Sequence, residues 1–134
     1  MQVAALDFDG EERFQRLREA LGVTSLGVNL LRLQPRERGR IHRHAHQEEL
    51  YVVLEGTLTL YVESEPHELV PGTIARVGPT ERRQLVNASG ARCVLLAVGA
   101  AGEHVGRDGE AFESWDQEVG RPPQEIPLPA DLEP

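Results

Sequence analysis

The sequence predicts an all-β fold, a single antiparallel barrel, and three observations support this class. From residue 25 onward, short β-rich segments alternate with Gly, Pro and Asn, a pattern typical of sandwiches and barrels. The 134 residues suit one domain with one core. Hydrophobic residues make up 40% of the chain without an apolar run long enough to span a bilayer. We therefore expect one soluble globular domain.

The barrel is predicted to occupy residues 25–100 and to contain seven short strands. The strands are predicted at 25–34, 49–54, 57–63, 67–69, 73–77, 83–86 and 92–98. Turns are predicted at 55–56, 71–72, 78–79 and 87–90, where Gly, Pro and Asn interrupt the β-rich runs. Gly56 predicts a tight hairpin, because glycine tolerates the positive φ that such turns require.

The two ends of the chain, residues 1–24 and 101–134, differ from the barrel. Phe14, Leu17 and Leu21 are spaced as on one face of a helix and Gly22 follows as a C-cap, so we predict a short amphipathic helix over 9–21. Five of the nine prolines lie in 120–134, which excludes a central strand or a long helix there.

We expect the acidic, Pro-rich tail to be either disordered or extended along a neighbouring subunit. In the second case Ile126 and Leu128 form its hydrophobic contact. The single cysteine, Cys93, lies in an apolar run and is predicted to be buried, without an intramolecular disulfide, which fits a reducing compartment. Residues 1–10 carry acids where a signal peptide has a basic start and an apolar stretch, so a cytoplasmic location is expected.

Charge is distributed unevenly. The formal net charge is −8, and nine acids against two arginines follow from Glu103 onward, so the first 102 residues are close to neutral. Nothing in the sequence resembles a basic stripe, and we therefore expect neither nucleic acid nor an anionic membrane as a partner. Small molecules and other proteins remain as partner classes.

A cluster of histidines marks the candidate site. His42, His44 and His46 occupy alternate positions, so their side chains share one face if the segment is extended. Two imidazoles and a carboxylate such as Glu49 can hold divalent Fe, Mn, Ni, Zn or Cu and leave positions open for a substrate. The alternative is a solvated polar loop that contains three histidines by chance.

The same segment resembles the first motif of the cupin superfamily. His42-Arg43-His44, four residues, Glu49, six residues and Gly56 match that motif, although Gly39 lies closer to His42 than the family pattern has it. The resemblance covers about residues 25–98. It implies a cupin barrel, that is, a double-stranded β-helix or jelly roll, and it implies that the chain forms a homodimer.

By this resemblance, the metal ligands are His42, His44 and Glu49. A slip of one residue along the strand turns Glu49 to the other face and brings in Glu48, so Glu48 and His46 stay open as alternatives.

In the second motif, Pro71-Gly72 and Asn87 match the family, but Arg83 stands where the family has histidine. Guanidinium has no lone pair to offer a cation. Two outcomes follow: the three remaining ligands hold a metal while Arg83 binds an anionic substrate, or Arg83 pairs with Glu49 and the site holds no metal. Strand alternation allows only one of Arg82 and Arg83 to face the pocket.

Three further residues are candidates for the pocket or its rim. Tyr51 shares the inward face of Glu49 and either donates a hydrogen bond in the pocket or packs in the core. His104 reaches the pocket if the tail folds over the barrel mouth, and otherwise lies in a loop. His67 is predicted to be exposed.

The sequence leaves two function classes, and it does not decide whether the protein is an enzyme. One is a metal-dependent isomerase or dioxygenase acting on a small anionic metabolite. The other is a metal-free barrel that binds a small anion, or a structural dimer, with Arg83 in the metal position.

Overall fold

The computed structural model describes residues 1–100 and 108–134, and it folds mainly into antiparallel strands. The elements in chain order are β1 Phe14–Arg16, α1 Arg18–Leu21, β2 Gly27–Leu33, β3 Ile41–His44, β4 Glu48–Glu55, β5 Leu58–Val62, β6 Glu65–Leu69, β7 Ile74–Val77, β8 Arg83–Val86, β9 Cys93–Ala100, β10 Gly109–Phe112 and a 3₁₀ turn at Pro123–Glu125. They form two five-stranded sheets, in the orders β1-β2-β9-β4-β7 and β10-β3-β8-β5-β6. The predicted all-β fold is confirmed.

The hydrophobic core lies between the two sheets and follows the alternation of each strand. On β4, Tyr51 and Val53 are buried, whereas Leu50, the residue before Tyr51, faces outward and is 38% exposed. Leu58 and Leu60 of β5 contribute the facing layer from the second sheet. This alternation positions the odd-numbered residues of β4, including Glu49, toward the interior.

The hairpin between β4 and β5 requires a glycine. Gly56 has φ +73°, and a Cβ at this position would lie 2.2 Å from the carbonyl oxygen of Arg92. Both the backbone conformation and the close approach of β9 therefore exclude a side chain here. The sequence-based prediction of this turn is confirmed.

All seven predicted strands are present, within a few residues of their expected bounds, but three strands were not predicted. These are β1, β3 and β10. Two of them, β1 and β10, lie at sheet edges, and β10 pairs with β3, a strand about seventy residues earlier. Their hydrophobic pattern is too short to show a period of two, so their partners determine their structure.

The predicted helix over 9–21 is wrong over most of its length. Only α1, four residues long, is helical, while Phe14 and Arg16 of β1 pair with Leu31 and Asn29 of β2. The free edge of β2 offers backbone partners that outweigh the helical spacing of the side chains. Gly22 ends α1 with φ +67°, as expected of a C-cap.

The described part of the C-terminal tail, residues 108–134, packs against its own barrel. β10 pairs with β3, and the backbone N–H of Leu132 donates to the carbonyl of Arg36 at 2.8 Å. Ile126 is 2% exposed within its own chain, whereas Leu128 remains 47% exposed, and the predicted contact of these two residues with a neighbouring subunit stays a prediction. The barrel thus gains a wall that the sequence did not predict.

Two predictions of burial are confirmed. Cys93 is completely buried, and its burial raises the pKa of the thiol to about 11. His67 is exposed on β6. In the part of the chain that the structure describes, none of the helices has the length and apolar character needed to cross a membrane.

Candidate metal centre

Strands β3 and β4 bring three predicted ligands together inside the barrel. His42 and His44 lie two residues apart on β3, so both side chains face the interior. The side chain of Glu49 on β4 lies next to them there. The Nε2 atom of His44 lies 2.9 Å from Oε1 of Glu49, and Nε2 of His42 lies 3.4 Å from the same oxygen. The ligand atoms of all three residues lie within 4.8 Å of one another.

These separations match those of atoms that share a coordination sphere. Two donor atoms that each lie about 2.1 Å from one ion are about 3.0 Å apart at a right angle and about 3.4 Å apart at the tetrahedral angle. The donor set of two imidazoles and one carboxylate suits divalent transition metals. The three side chains therefore fit a metal ion with little rearrangement.

The hydrogen bonding of His42 also favours a cation. Nδ1 of His42 lies 3.2 Å from the carbonyl oxygen of Arg40, to which it donates its proton. In the neutral ring, Nε2 then carries a lone pair that faces the carboxylate of Glu49, another acceptor. A metal ion or a proton between Nε2 and the carboxylate satisfies both groups, and a backbone carbonyl that fixes the tautomer is typical of a metal-bound histidine.

The carboxylate of Glu49 is held ionised. Burial raises the pKa of Glu49. Hydrogen bonds and charge interactions with His42 and His44 lower this pKa by a larger amount, so the net pKa lies well below its ordinary value. The hydroxyl of Tyr51 donates to Oε1 of Glu49 at 2.6 Å. Burial, together with the negative charge of Glu49, raises the pKa of Tyr51 well above its ordinary value. Tyr51 therefore remains protonated and orients the carboxylate.

Asp108 is a residue near the cluster that the sequence did not reveal. Its Oδ2 accepts the backbone N–H groups of His46 at 2.9 Å and Gln47 at 2.8 Å, which fixes the loop between β3 and β4. The same oxygen lies 3.9 Å from Nδ1 of His44, a buried atom without a hydrogen-bond partner among the described residues. No local pattern links Asp108 to a loop about sixty residues earlier.

The two register alternatives lie outside the cluster. The side chain of His46 is 78% exposed and its Nδ1 lies 3.3 Å from Oδ1 of Asp108. The side chain of Glu48 is 56% exposed and pairs with Arg76 on the outer surface. β3 ends at His44, so the expected common face of three histidines holds only for His42 and His44.

Arg83 faces the interior as predicted, but it does not reach the cavity. Its Cα pairs with that of His42 across β3 and β8, and the residue is completely buried. Nη2 donates to the carbonyl of Gly78 at 2.8 Å and Nη1 to that of Pro79 at 3.3 Å. The backbone carbonyls of the turn before β8 thus bind the guanidinium, and the expected contact of Arg83 with a bound anion stays a prediction.

The expected pairing of Arg83 with Glu49 is present only as a long contact. Nε of Arg83 lies 3.9 Å from Oε1 of Glu49 and makes no hydrogen bond among the described residues. Arg82 points the other way, as alternation requires: its Nη1 donates to the carbonyl of Gln117, and its guanidinium lies 5.0 Å from the ring centre of Phe112.

A cavity of about 410 Å³ lies next to the cluster. His42, His44, Glu49 and Tyr51 line it, together with apolar side chains and two arginines, Arg13 and Arg40. Arg13 forms an ion pair with Glu37, whereas the Nε atom of Arg40 donates to the carbonyl of Ile126. The predicted role of His104 lies outside the described residues.

Comparisons with known proteins agree with this architecture. The family model described as "Cupin domain" matches residues 29–99. A sugar phosphate isomerase of the cupin superfamily from Silicibacter pomeroyi is 30% identical, with a TM-score of 0.67 and coverage of 87% of this chain and 80% of that chain. No curated protein matches the chain.

Two more distant structures share the fold. A cupin protein from Bacteroides fragilis is 22% identical, with a TM-score of 0.64 over 89% of this chain and 98% of that one. A Cupin 2 conserved barrel domain protein from Salinispora arenicola is 21% identical, with a TM-score of 0.59 over 75% and 88%. From its matched segment, its two sheets and these relatives, the chain belongs to the cupin superfamily.

Proposed function

We propose that the protein is a metal-dependent isomerase of a small anionic metabolite, with sugar phosphates as the first substrate class to test. The observation that carries this proposal is the convergence of His42, His44 and Glu49 on one point inside the barrel. The Silicibacter pomeroyi relative, described as a sugar phosphate isomerase, supports the choice of reaction and substrate.

The three side chains supply a partial ligand set. A divalent ion bound there acts as a Lewis acid on a carbonyl or hydroxyl oxygen of the substrate. Tyr51 keeps the carboxylate of Glu49 in place through its 2.6 Å hydrogen bond, and the carbonyl of Arg40 keeps the ring of His42 in place. Such supporting contacts determine how well a site holds its ion.

The adjacent cavity suits a small polar molecule. Its volume of about 410 Å³ falls within the usual range for small-molecule sites. Glu49 is the one carboxylate among the described residues of its wall, which also carries the two arginines. Arg13 is paired with Glu37, so Arg40 supplies the positive group with which the wall can bind an anionic substrate.

A metal-free, anion-binding barrel is the second candidate, and Arg83 is the observation that favours it. Its guanidinium lies 3.9 Å from Oε1 of Glu49, so the carboxylate has a permanent counter-charge without any metal. In this second candidate, the cavity binds an anion and catalyses no reaction.

The isomerase proposal is tested by following aldose and ketose phosphates by NMR with metal-loaded and metal-stripped protein. We expect interconversion that needs metal, is lost in Glu49→Gln and persists in His46→Ala, whose side chain lies outside the cluster. Oxygen consumption during turnover would instead indicate a dioxygenase. Binding of a sugar phosphate without metal and without conversion would favour the second candidate.

The homodimer is also a proposal, and the outer face of the first sheet supports it. The N-terminal segment covers β2 and β9, where Leu17, Leu30 and Val94 are buried. The β4–β7 side stays open, and there Leu50 is 38% and Ile74 60% exposed. Adjacent exposed apolar side chains of this kind are typical of interfaces.

We assign this open face to a second copy of the chain. Sedimentation analysis should give a dimer for the native protein and for Val119→Glu, which changes an exposed residue away from the sheet. Ile74→Glu should give a monomer. A native monomer, or an Ile74→Glu dimer of unchanged stability, would contradict the assignment.

A further inference from the structure

Arg40 is the cation in the cavity wall that has no carboxylate partner among the described residues. It is half-buried, and it lines the same cavity as His42, His44 and Glu49. Arg13, the other arginine of that wall, is neutralised by Glu37. Arg40 is therefore the arginine of this wall that forms no ion pair with a described carboxylate.

The position of Arg40 follows from strand alternation. Arg40, His42 and His44 occupy alternate positions as the chain enters β3, and all three line the cavity. The carbonyl of Arg40 also accepts the hydrogen bond from Nδ1 of His42. The residue thus contacts the candidate metal centre through its backbone while its side chain forms the neighbouring wall.

The C-terminal tail restrains the guanidinium of Arg40. Its Nε donates to the carbonyl oxygen of Ile126 at 2.6 Å, and Ile126 is itself 2% exposed, so the acceptor is anchored in the barrel. The two Nη groups make no hydrogen bond or ion pair with the described residues. A guanidinium fixed at Nε with both Nη groups available can bind two oxygens of a carboxylate or a phosphate.

The other arginines around the site are less suited to this role. Arg83 is completely buried, and its two Nη groups donate to backbone carbonyls. Arg16 is exposed and lines an adjacent cavity with His44 and Glu49, but no hydrogen bond to a described residue fixes its guanidinium. Arg16 is therefore the rival that an experiment must exclude.

We infer that Arg40 binds the anionic group of the substrate, a phosphate or carboxylate, and that the tail orients it for this contact through Ile126. This inference rests on the proposed function for the reaction that follows binding, but the anion site itself does not depend on a metal. It transfers to Arg40 the role that the sequence assigned to Arg83.

The test uses inorganic phosphate and, separately, acetate as probes of the full-length protein. Affinity is measured by calorimetry and by the rise in melting temperature, in metal-loaded and metal-stripped samples. The variants are Arg40→Gln, Arg16→Gln and the control Arg38→Gln. Arg38 is a matched control because its Nε also donates to a tail carbonyl, that of Ala130 at 2.9 Å, yet it does not line this cavity.

We expect native protein, Arg16→Gln and Arg38→Gln to bind one of the two anions with similar affinity, with or without metal. Arg40→Gln should bind it at least about tenfold more weakly, the usual loss when a charged hydrogen-bond donor is removed. The preferred anion, phosphate or acetate, identifies the group on the substrate.

Unchanged affinity in Arg40→Gln, loss of affinity in Arg16→Gln or Arg38→Gln instead, or no anion binding by native protein would overturn the inference. Metal content measured on the same samples separates this outcome from failure of the proposed function. Anion binding at Arg40 without any metal would retain the anion site and reject the metal-dependent isomerase. Metal binding without anion binding would reject the anion site at Arg40 and leave the metal site in place.

Discussion

Two neighbouring glutamates on β4 each lie near an arginine, and the two pairs occupy opposite sides of one sheet. The side chain of Glu48 is 56% exposed and its Oε2 lies 2.5 Å from Nε of Arg76 on the outer surface. Glu49 faces the interior, where Arg83 approaches no closer than 3.9 Å and two histidines and Tyr51 contact the carboxylate instead. The same residue types thus form a surface ion pair outside and a polar cluster inside.

The difference shows that the surroundings of a charged pair, more than its sequence, determine its role. Water screens the outer pair, so it contributes little to stability. The inner arginine cannot lose its proton and is excluded from water, so the carbonyls of Gly78 and Pro79 must satisfy it. Arg83 thus lies beside the cluster, opposite His42, while the turn before β8 binds its guanidinium.

The largest effect on stability is expected from the inner arginine. Arg83→Met should lower the free energy of unfolding by about 3 kcal/mol, because two carbonyls lose a charged donor and Glu49 loses a nearby positive charge. Arg76→Met should change it by less than about 1 kcal/mol. Urea denaturation measures both, and equal losses for the two variants would remove the distinction between the pairs.

A smaller effect is expected from the hydroxyl that orients Glu49. Tyr51→Phe should weaken metal affinity roughly tenfold, the usual effect of removing a group that supports a ligand, with only a modest change in stability. Tyr61→Phe is the matched control, since Tyr61 packs near Trp115 at a ring distance of 6.4 Å, away from the cluster. Unchanged metal affinity in Tyr51→Phe would show that the hydrogen bond to Glu49 has no supporting role.

The smallest effect concerns pH. Because the pKa of folded Glu49 lies well below its ordinary value of 4.5, its ionised carboxylate stabilises the fold above that pH. This contribution is lost as the pH falls through the folded pKa. In metal-free protein, the stability difference between native and Glu49→Gln should therefore shrink as the pH falls below about 4.5.

Glu48→Gln provides the control for this pH dependence, since it removes the same charge from an exposed pair. Its stability difference from native protein should change less over the same range, because solvent screens the exposed pair. An equal pH dependence for the two variants would contradict the assignment of the stabilising contacts to Glu49.

The sequence predicted the parts of the molecule that local pattern controls. Alternation and turn residues located seven strands, and the resemblance to the first cupin motif identified His42, His44 and Glu49 as the candidate ligands. The same alternation could have placed Arg40 on the face of His42, two positions earlier, but the motif begins at His42 and does not include Arg40. The orientation of the Arg40 guanidinium could not be predicted, because it depends on a hydrogen bond to the carbonyl of Ile126 in the distant C-terminal tail.

Features that depend on distant partners could not be predicted. β1 and β10 form because sheet edges offer them backbone partners, and Asp108 reaches the loop after β3 from the far end of the chain. For Arg83 the alternation predicted the direction of the side chain but not its acceptors. Those acceptors are backbone carbonyls, which any residue type supplies and no sequence pattern marks.

The central claim is that His42, His44 and Glu49 hold a divalent metal, and the metal content of untagged protein tests it most directly. Elemental mass spectrometry after metal loading and dialysis should give about one ion per chain for native protein, Glu48→Gln and His46→Ala. Glu49→Gln and His44→Ala should retain almost none. Native protein without metal, or equal retention by the inner and outer variants, would contradict the claim and favour the metal-free barrel.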